Sequence, residues 1–92
     1  MSTSTFSSAA PANSWTPVVA GANFSRFALQ VASNDAVAVA IATAQPAIDS
    51  DDFMILRLGS DKSLLEDLAA TDNVYVRGVQ SASKVRGYKV GR

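Results

Sequence analysis

The sequence predicts an all-β chain: a small antiparallel β-sandwich or jelly-roll-like barrel of about seven strands, with an extended N-terminal arm. Period-two alternation recurs along the chain and puts successive side chains on opposite faces of a strand. Turn-forming residues interrupt it at the roughly 8–12-residue spacing of small sandwiches. The domain organisation that follows is a flexible arm over residues 1–15 and one sandwich domain over residues 16–92.

The arm comes first. Met1–Ser14 is Ser, Thr and Ala with Phe6, Pro11 and no charge. It shows no period and offers little apolar area against its ordering entropy, so alone it is expected to be mobile. Two readings stand: a disordered tail, or an arm that orders along a neighbour with Phe6, Pro11 and Trp15 as contacts. Trp15 is equally suited to capping the core of its own domain.

Thr16–Ala20 reads as a short strand, and Pro17 suits an edge. The segment on which the rest is built is Ser25–Thr43. Phe27, Leu29 and Val31 alternate with Arg26, Ala28 and Gln30; Val37, Val39 and Ile41 alternate with Ala36, Ala38, Ala40 and Ala42. With Asn34-Asp35 as a tight reversal, the expectation is a β-hairpin. One wall is for a core and the other is a nearly charge-free alanine wall. That wall, Ala36, Ala38, Ala40 and Ala42, suits close approach of a partner surface, or a second packed layer of the same sandwich.

Gln45-Pro46 ends this segment and Ala47–Asp52 is a polar loop. Phe53–Leu58 reads as a strand with Met54, Leu56 and Leu58 on one side, closed by a turn at Gly59–Lys62. Ser63-Leu64-Leu65-Glu66 fits a helix capping box, but the short interval between turns favours a strand over Ser63–Ala70. Asn73–Gln80 and Lys84–Val90 complete the set as a last hairpin, with Tyr88 and Val90 inward and Gly78 and Gly87 facing each other or marking bulges.

Composition excludes much chemistry. There is no cysteine and no histidine, so thiolate chemistry and the commonest general base and metal ligand are missing. The net charge is zero, which gives no global attraction to nucleic acid or to an anionic membrane. No run approaches the roughly 20 apolar residues of a membrane span, and the polar opening does not read as a signal peptide. Asp49-Ser50-Asp51-Asp52 lacks the glycine and distal glutamate of a helical calcium loop. Ser81-Ala82-Ser83-Lys84 matches a Ser-x-x-Lys pattern without that site's other motifs, and a turn explains it. Tyr75 and Tyr88 lie among C-terminal bases, a weak nucleic-acid signal. The chain is expected to be no enzyme, to carry no cofactor or metal, and to bind neither nucleic acid nor membrane.

Charge is uneven along the chain. All 8 acids lie between Asn34 and Asp72, whereas Asn73–Arg92 holds only bases. The blocks could join neighbouring copies; neutralisation between adjacent strands of one copy is the favoured reading.

Taken in order, these segments resemble small phage structural proteins. The stretch Arg26–Ile41, with its Phe27-Ala28-Leu29 and Val37–Ile41 alternation, resembles a hairpin of short β-sandwiches from virion gene clusters, many of them capsid decoration or cement proteins. Phe53–Leu58, Ser63–Leu68, Val74-Tyr75-Val76 and the closing basic strand agree in order, so the resemblance spans roughly Trp15 to Val90. Ala38 and Ala40 stand where that pattern commonly has an aromatic. The resemblance implies a virion protein on the outer capsid surface, assembled in the host cytoplasm. It would stabilise the head as a homo-oligomer, trimer or dimer, bound to the major capsid protein between capsomers. A head-fibre or tail attachment module, and a carbohydrate- or peptide-binding module, are the alternatives.

Overall fold

The computed structural model describes residues 2–33, 36–57, 64–79 and 81–92. Eight strands run through them: β1 (Thr3–Ala10), β2 (Thr16–Ala20), β3 (Phe24–Ser33), β4 (Ala36–Ala42), β5 (Met54–Arg57), β6 (Leu64–Asp67), β7 (Asn73–Gly78) and β8 (Ser83–Gly91). The all-β expectation holds. The count exceeds seven because the segment read as an arm is itself a strand, paired with β8 from Thr3↔Val90 to Ala10↔Ser83 without a break. Its Ser, Thr and Ala residues show no period because it lies at the margin of the sandwich, where only Phe6 and Ala10 reach the core.

The strands form two four-stranded sheets, a front sheet in the order β1-β8-β3-β6 and a back sheet in the order β2-β7-β4-β5. Every neighbouring pair is antiparallel. The pairs β1–β8, β2–β7, β3–β6 and β4–β5 are nested, like one long hairpin rolled over itself. This is the jelly-roll arrangement.

That topology corrects two hairpins. β3 belongs to the front sheet and β4 to the back sheet, so Ser25–Thr43 crosses from layer to layer instead of pairing with itself. β7 and β8 are divided in the same way: Gly78 lies opposite Val37, and Gly87 lies opposite Phe6 and Leu29. The reason is physical. Alternation fixes which face of a strand is apolar, and two strands stacked face to face need the same alternation as two hydrogen-bonded side by side. The reversal at Asn34-Asp35, the turn at Gly59–Lys62, and Leu58, Ser63 and Gln80 lie outside the described residues.

The core fills the space between the sheets. Phe27, Leu29 and Val31 of β3 and Val85 of β8 pack with Val37 and Val39 of β4 and Val74 and Val76 of β7. Full burial of a side chain such as Phe27 contributes on the order of 2–3 kcal/mol. Val85 sets the parity of β8, so Gly87 and Lys89 share its inward side; Lys89 lies opposite Phe27 and Ser4. Tyr88 and Val90, expected inward, instead stand on the outer face beside Ala28 and Arg26. Residues Leu64–Asp67 are a strand against β3, as their spacing between turns indicated, and the capping-box alternative is not used.

Among the described residues, no C-terminal base forms an ion pair with the acidic block. β8 lies between β1 and β3, away from β6, and the ion pair seen among the described residues is Arg26–Asp67 at 2.8 Å, both side chains exposed. The hydrogen bond to Asp67 raises the pKa of the Arg26 guanidinium further above its already high value. Neutral groups meet Arg86, Lys89 and Arg92 instead. Arg86 Nε donates to Gln30 Oε1 at 2.8 Å, and Lys89 Nζ lies 4.5 Å from the Phe24 ring centroid and 5.3 Å from that of Phe6. Arg92 Nε donates to the Gly21 carbonyl at 2.6 Å, and its Nη2 donates to that of Leu68.

Candidate functional site

The residues expected to meet a partner divide between two places. Trp15, Ala38 and Ala40 come together on the outer face of the back sheet, with Tyr75 and with Ala42 and Phe53 at the margin. Alternation on β4 sends Val37 and Val39 to the core and leaves a floor of methyl groups behind. A floor that low lets the Trp15 indole lie against the sheet, where it is 3% exposed. The segment joining β4 to β5 folds back over the same face. Trp15 Nε1 donates to the Ala47 carbonyl at 3.0 Å, and the Trp15 and Phe53 ring centroids are 5.9 Å apart.

Arg77 completes this layer. Alternation on β7 puts Val74 and Val76 inward and Tyr75 and Arg77 outward, with Arg77 opposite Ala38. Its guanidinium carbon lies 4.7 Å from the Trp15 ring centroid and 5.4 Å from that of Phe53. Its Nη1 donates to the Ile48 carbonyl, while its Nε is buried with no hydrogen-bond partner among the described residues. Approaching two rings while donating to a carbonyl suits the broad, forked guanidinium, which lysine lacks. Arg77→Lys is therefore expected to cost roughly 1–2 kcal/mol, read as a lower urea midpoint with an unchanged slope.

The alanine wall is thus roofed by its own chain. Ala36, Ala38 and Ala40 are buried and Ala42 is half-buried, so the wall is not a free partner surface. Of the two readings for Trp15, the structure has the one in which it caps its own domain. Pro11 sits at the corner after β1, where its carbonyl accepts from Gly78 N at 3.1 Å. Phe6 is half-buried at the edge of the core. Tyr75 and Tyr88 lie on opposite sheets and share no surface.

Two surfaces escaped the sequence reading. The first is an apolar rim at the β5 edge of the back sheet, where Ile41, Ile48, Met54 and Ile55 are 41–57% exposed. Ile41 and Met54 line a depression of about 210 Å³ with Phe53 and Asp52. Ile55 extends the row Arg77–Ala38–Ile55, whose arginine holds the Ile48 carbonyl. The signal was present: Phe53, Met54, Ile55 and Leu56 put bulky apolar residues on both faces of one short strand.

The second is a depression of about 480 Å³ on the outer face of the front sheet, with Thr5, Ser7, Gln30, Arg86 and Tyr88 among its lining. It needs β1 beside β8, so it was invisible while β1 was read as an arm. Among the described residues no cluster of His, Cys, Asp or Glu could hold a metal ion. No family model, curated protein or solved structure matches the chain.

Proposed function

We propose that this chain is a non-enzymatic virion protein that decorates the outer capsid surface, binds the major capsid protein between capsomers and stabilises the shell. The observation that carries this reading is the exposed apolar rim of Ile41, Ile48, Met54 and Ile55. In a domain of 9.6 kDa, three isoleucines and a methionine left exposed around one sheet edge offer apolar surface for another protein to cover. The jelly roll is at home in viral capsid proteins, although the same fold also serves lectins, so fold alone does not decide. The resemblance of Arg26–Ile41 to phage decoration proteins favours the capsid. Many copies on one shell would sum weak contacts of this kind.

The test is binding to emptied, expanded heads of the phage that carries the gene, measured by co-sedimentation. Removing residues 1–14 would strip β1 from β8, so surface substitutions are the cleaner probe. Wild-type protein is expected to saturate the heads, and Met54→Lys with Ile55→Lys to weaken binding at least about tenfold by burying charge in the contact. Absence of wild-type binding would sink the decoration reading and move a fibre or tail role forward. Equal binding by both proteins would remove the rim from it.

A carbohydrate-binding module is the second reading, favoured by the front-sheet depression with Tyr88 beside the Arg86–Gln30 pair. Titration with a glycan panel separates it from the first.

A further inference from the structure

Two open sheets have four edges, here β1 and β6 in front and β2 and β5 behind. An edge strand presents unpaired backbone groups, and monomeric proteins blunt such edges with shortness, charge, proline or a bulge. Three of the four are blunted. β6 is 4 residues long and ends in Glu66-Asp67; β5 is 4 residues long, ends in Arg57 and follows Asp51-Asp52. β2 contains Pro17 and a register break between Pro17 and Val19. β1 has none of these devices. It runs 8 residues, unbroken in register, with no charge and no proline.

We propose that the free edge of β1 pairs antiparallel with β1 of a second copy, joining two front sheets across a two-fold axis. Charge argues for a second copy over a foreign strand. An identical strand brings its own side chains opposite themselves, and a charged edge would repel its twin. Here, no charge precedes Arg26. Directly opposed residues share a face, which restricts the register. With Phe6 on the axis, Phe6 meets its twin, Thr5 meets Ser7 of the second copy, and Thr3 meets Ala9. This register covers the half-buried ring of Phe6, the one large apolar side chain of β1, with another aromatic. The pairing stands on the four edges alone and does not rest on the capsid reading.

Sedimentation velocity over a concentration series is the first measurement, with a dimer expected. Thr5→Glu combined with Ser7→Glu places like charges opposite each other across the axis. Within one chain, position 7 lies opposite Arg86, so the fold tolerates the change. The pair is expected to raise the dimer dissociation constant at least roughly tenfold, with unchanged circular dichroism.

The chain has no cysteine, so engineered thiols report the register. Directly opposed strand residues lie within disulfide reach. A mixture of Thr5→Cys and Ser7→Cys chains is expected to form a covalent dimer on oxidation faster than either variant alone. A wild-type chain that stays monomeric across the series overturns the proposal. So does a dimer indifferent to the two glutamates. Sedimentation decides the pairing and head binding decides the function, so either can fail without the other.

Discussion

Gly87→Ala is expected to leave little folded protein, with a loss of roughly 3 kcal/mol or more. Gly87 lies in β8, the strand held between β1 and β3, opposite Phe6 on one side and Leu29 on the other. A Cβ added there would lie 1.8 Å from the Ala28 carbonyl oxygen and 2.8 Å from its carbon. Both are backbone atoms of a central strand, and no side-chain rotation can relieve the overlap. β8 must move away from β3, which strains the ladder and the core beneath it. The control is Gly91→Ala near the end of the same strand, where the nearest atom is 3.3 Å away at Ser2. Urea denaturation of both variants checks the contrast. Equal midpoints would mean that β8 does not approach β3 so closely.

Trp15→Ala is expected to cost about 3–5 kcal/mol, as for other buried large-to-small changes at aromatic positions. The loss is local in origin: the alanine floor is left without a roof, and Phe53 and Arg77 lose the ring they lie against. The Ala47 carbonyl loses its donor as well. The segment between β4 and β5 should then open, and a non-specific protease should cut between residues 43 and 53 before it cuts elsewhere. Trp15→Phe keeps most of the packing and drops the indole donor, so it should cost only about 1 kcal/mol more than its lost area. A change below about 1 kcal/mol for Trp15→Ala would mean that this outer layer is ornament and not structure.

Much of the fold was legible because period-two alternation is a strong signal when one face is buried. Phe27, Leu29 and Val31 on β3 and Val74 and Val76 on β7 face the core as their spacing indicates. Strand partners were not legible. Val37 and Val39 would satisfy a hairpin or a facing sheet equally, and the sequence between Ser33 and Ala36 does not tell them apart. Tyr88 and Val90 misled because an apolar Tyr-x-Val pair outweighed Val85, whereas the inward side of β8 takes Gly87 and a lysine stem. β1 was missed because its order comes from β8, some 80 residues further on, and no local pattern records such a partner. The site suffered for the same reason. Ala36, Ala38, Ala40 and Ala42 were singled out as an uncharged wall, but what packs against Ala38, Ala40 and Ala42 comes from Trp15, Phe53 and Tyr75, distant in the chain.

The nested pairing also has a consequence for synthesis. β1 is the first of the eight strands to leave the ribosome, and its partner β8 is the last. At roughly 5–20 residues per second, β1 waits on the order of 4–16 s for a neighbour. A waiting strand rich in valine and isoleucine would tend to pair with other nascent chains on the same message. Thr-Ser-Thr-Phe-Ser-Ser-Ala-Ala has one large apolar side chain in its 8 residues. The strand that stays unpaired longest during translation thus carries little apolar area for mispairing while unfolded, and its pairing with a second copy waits until β8 has set it in a sheet. The more adhesive β3 and β4 emerge later, when less of the chain remains to be made.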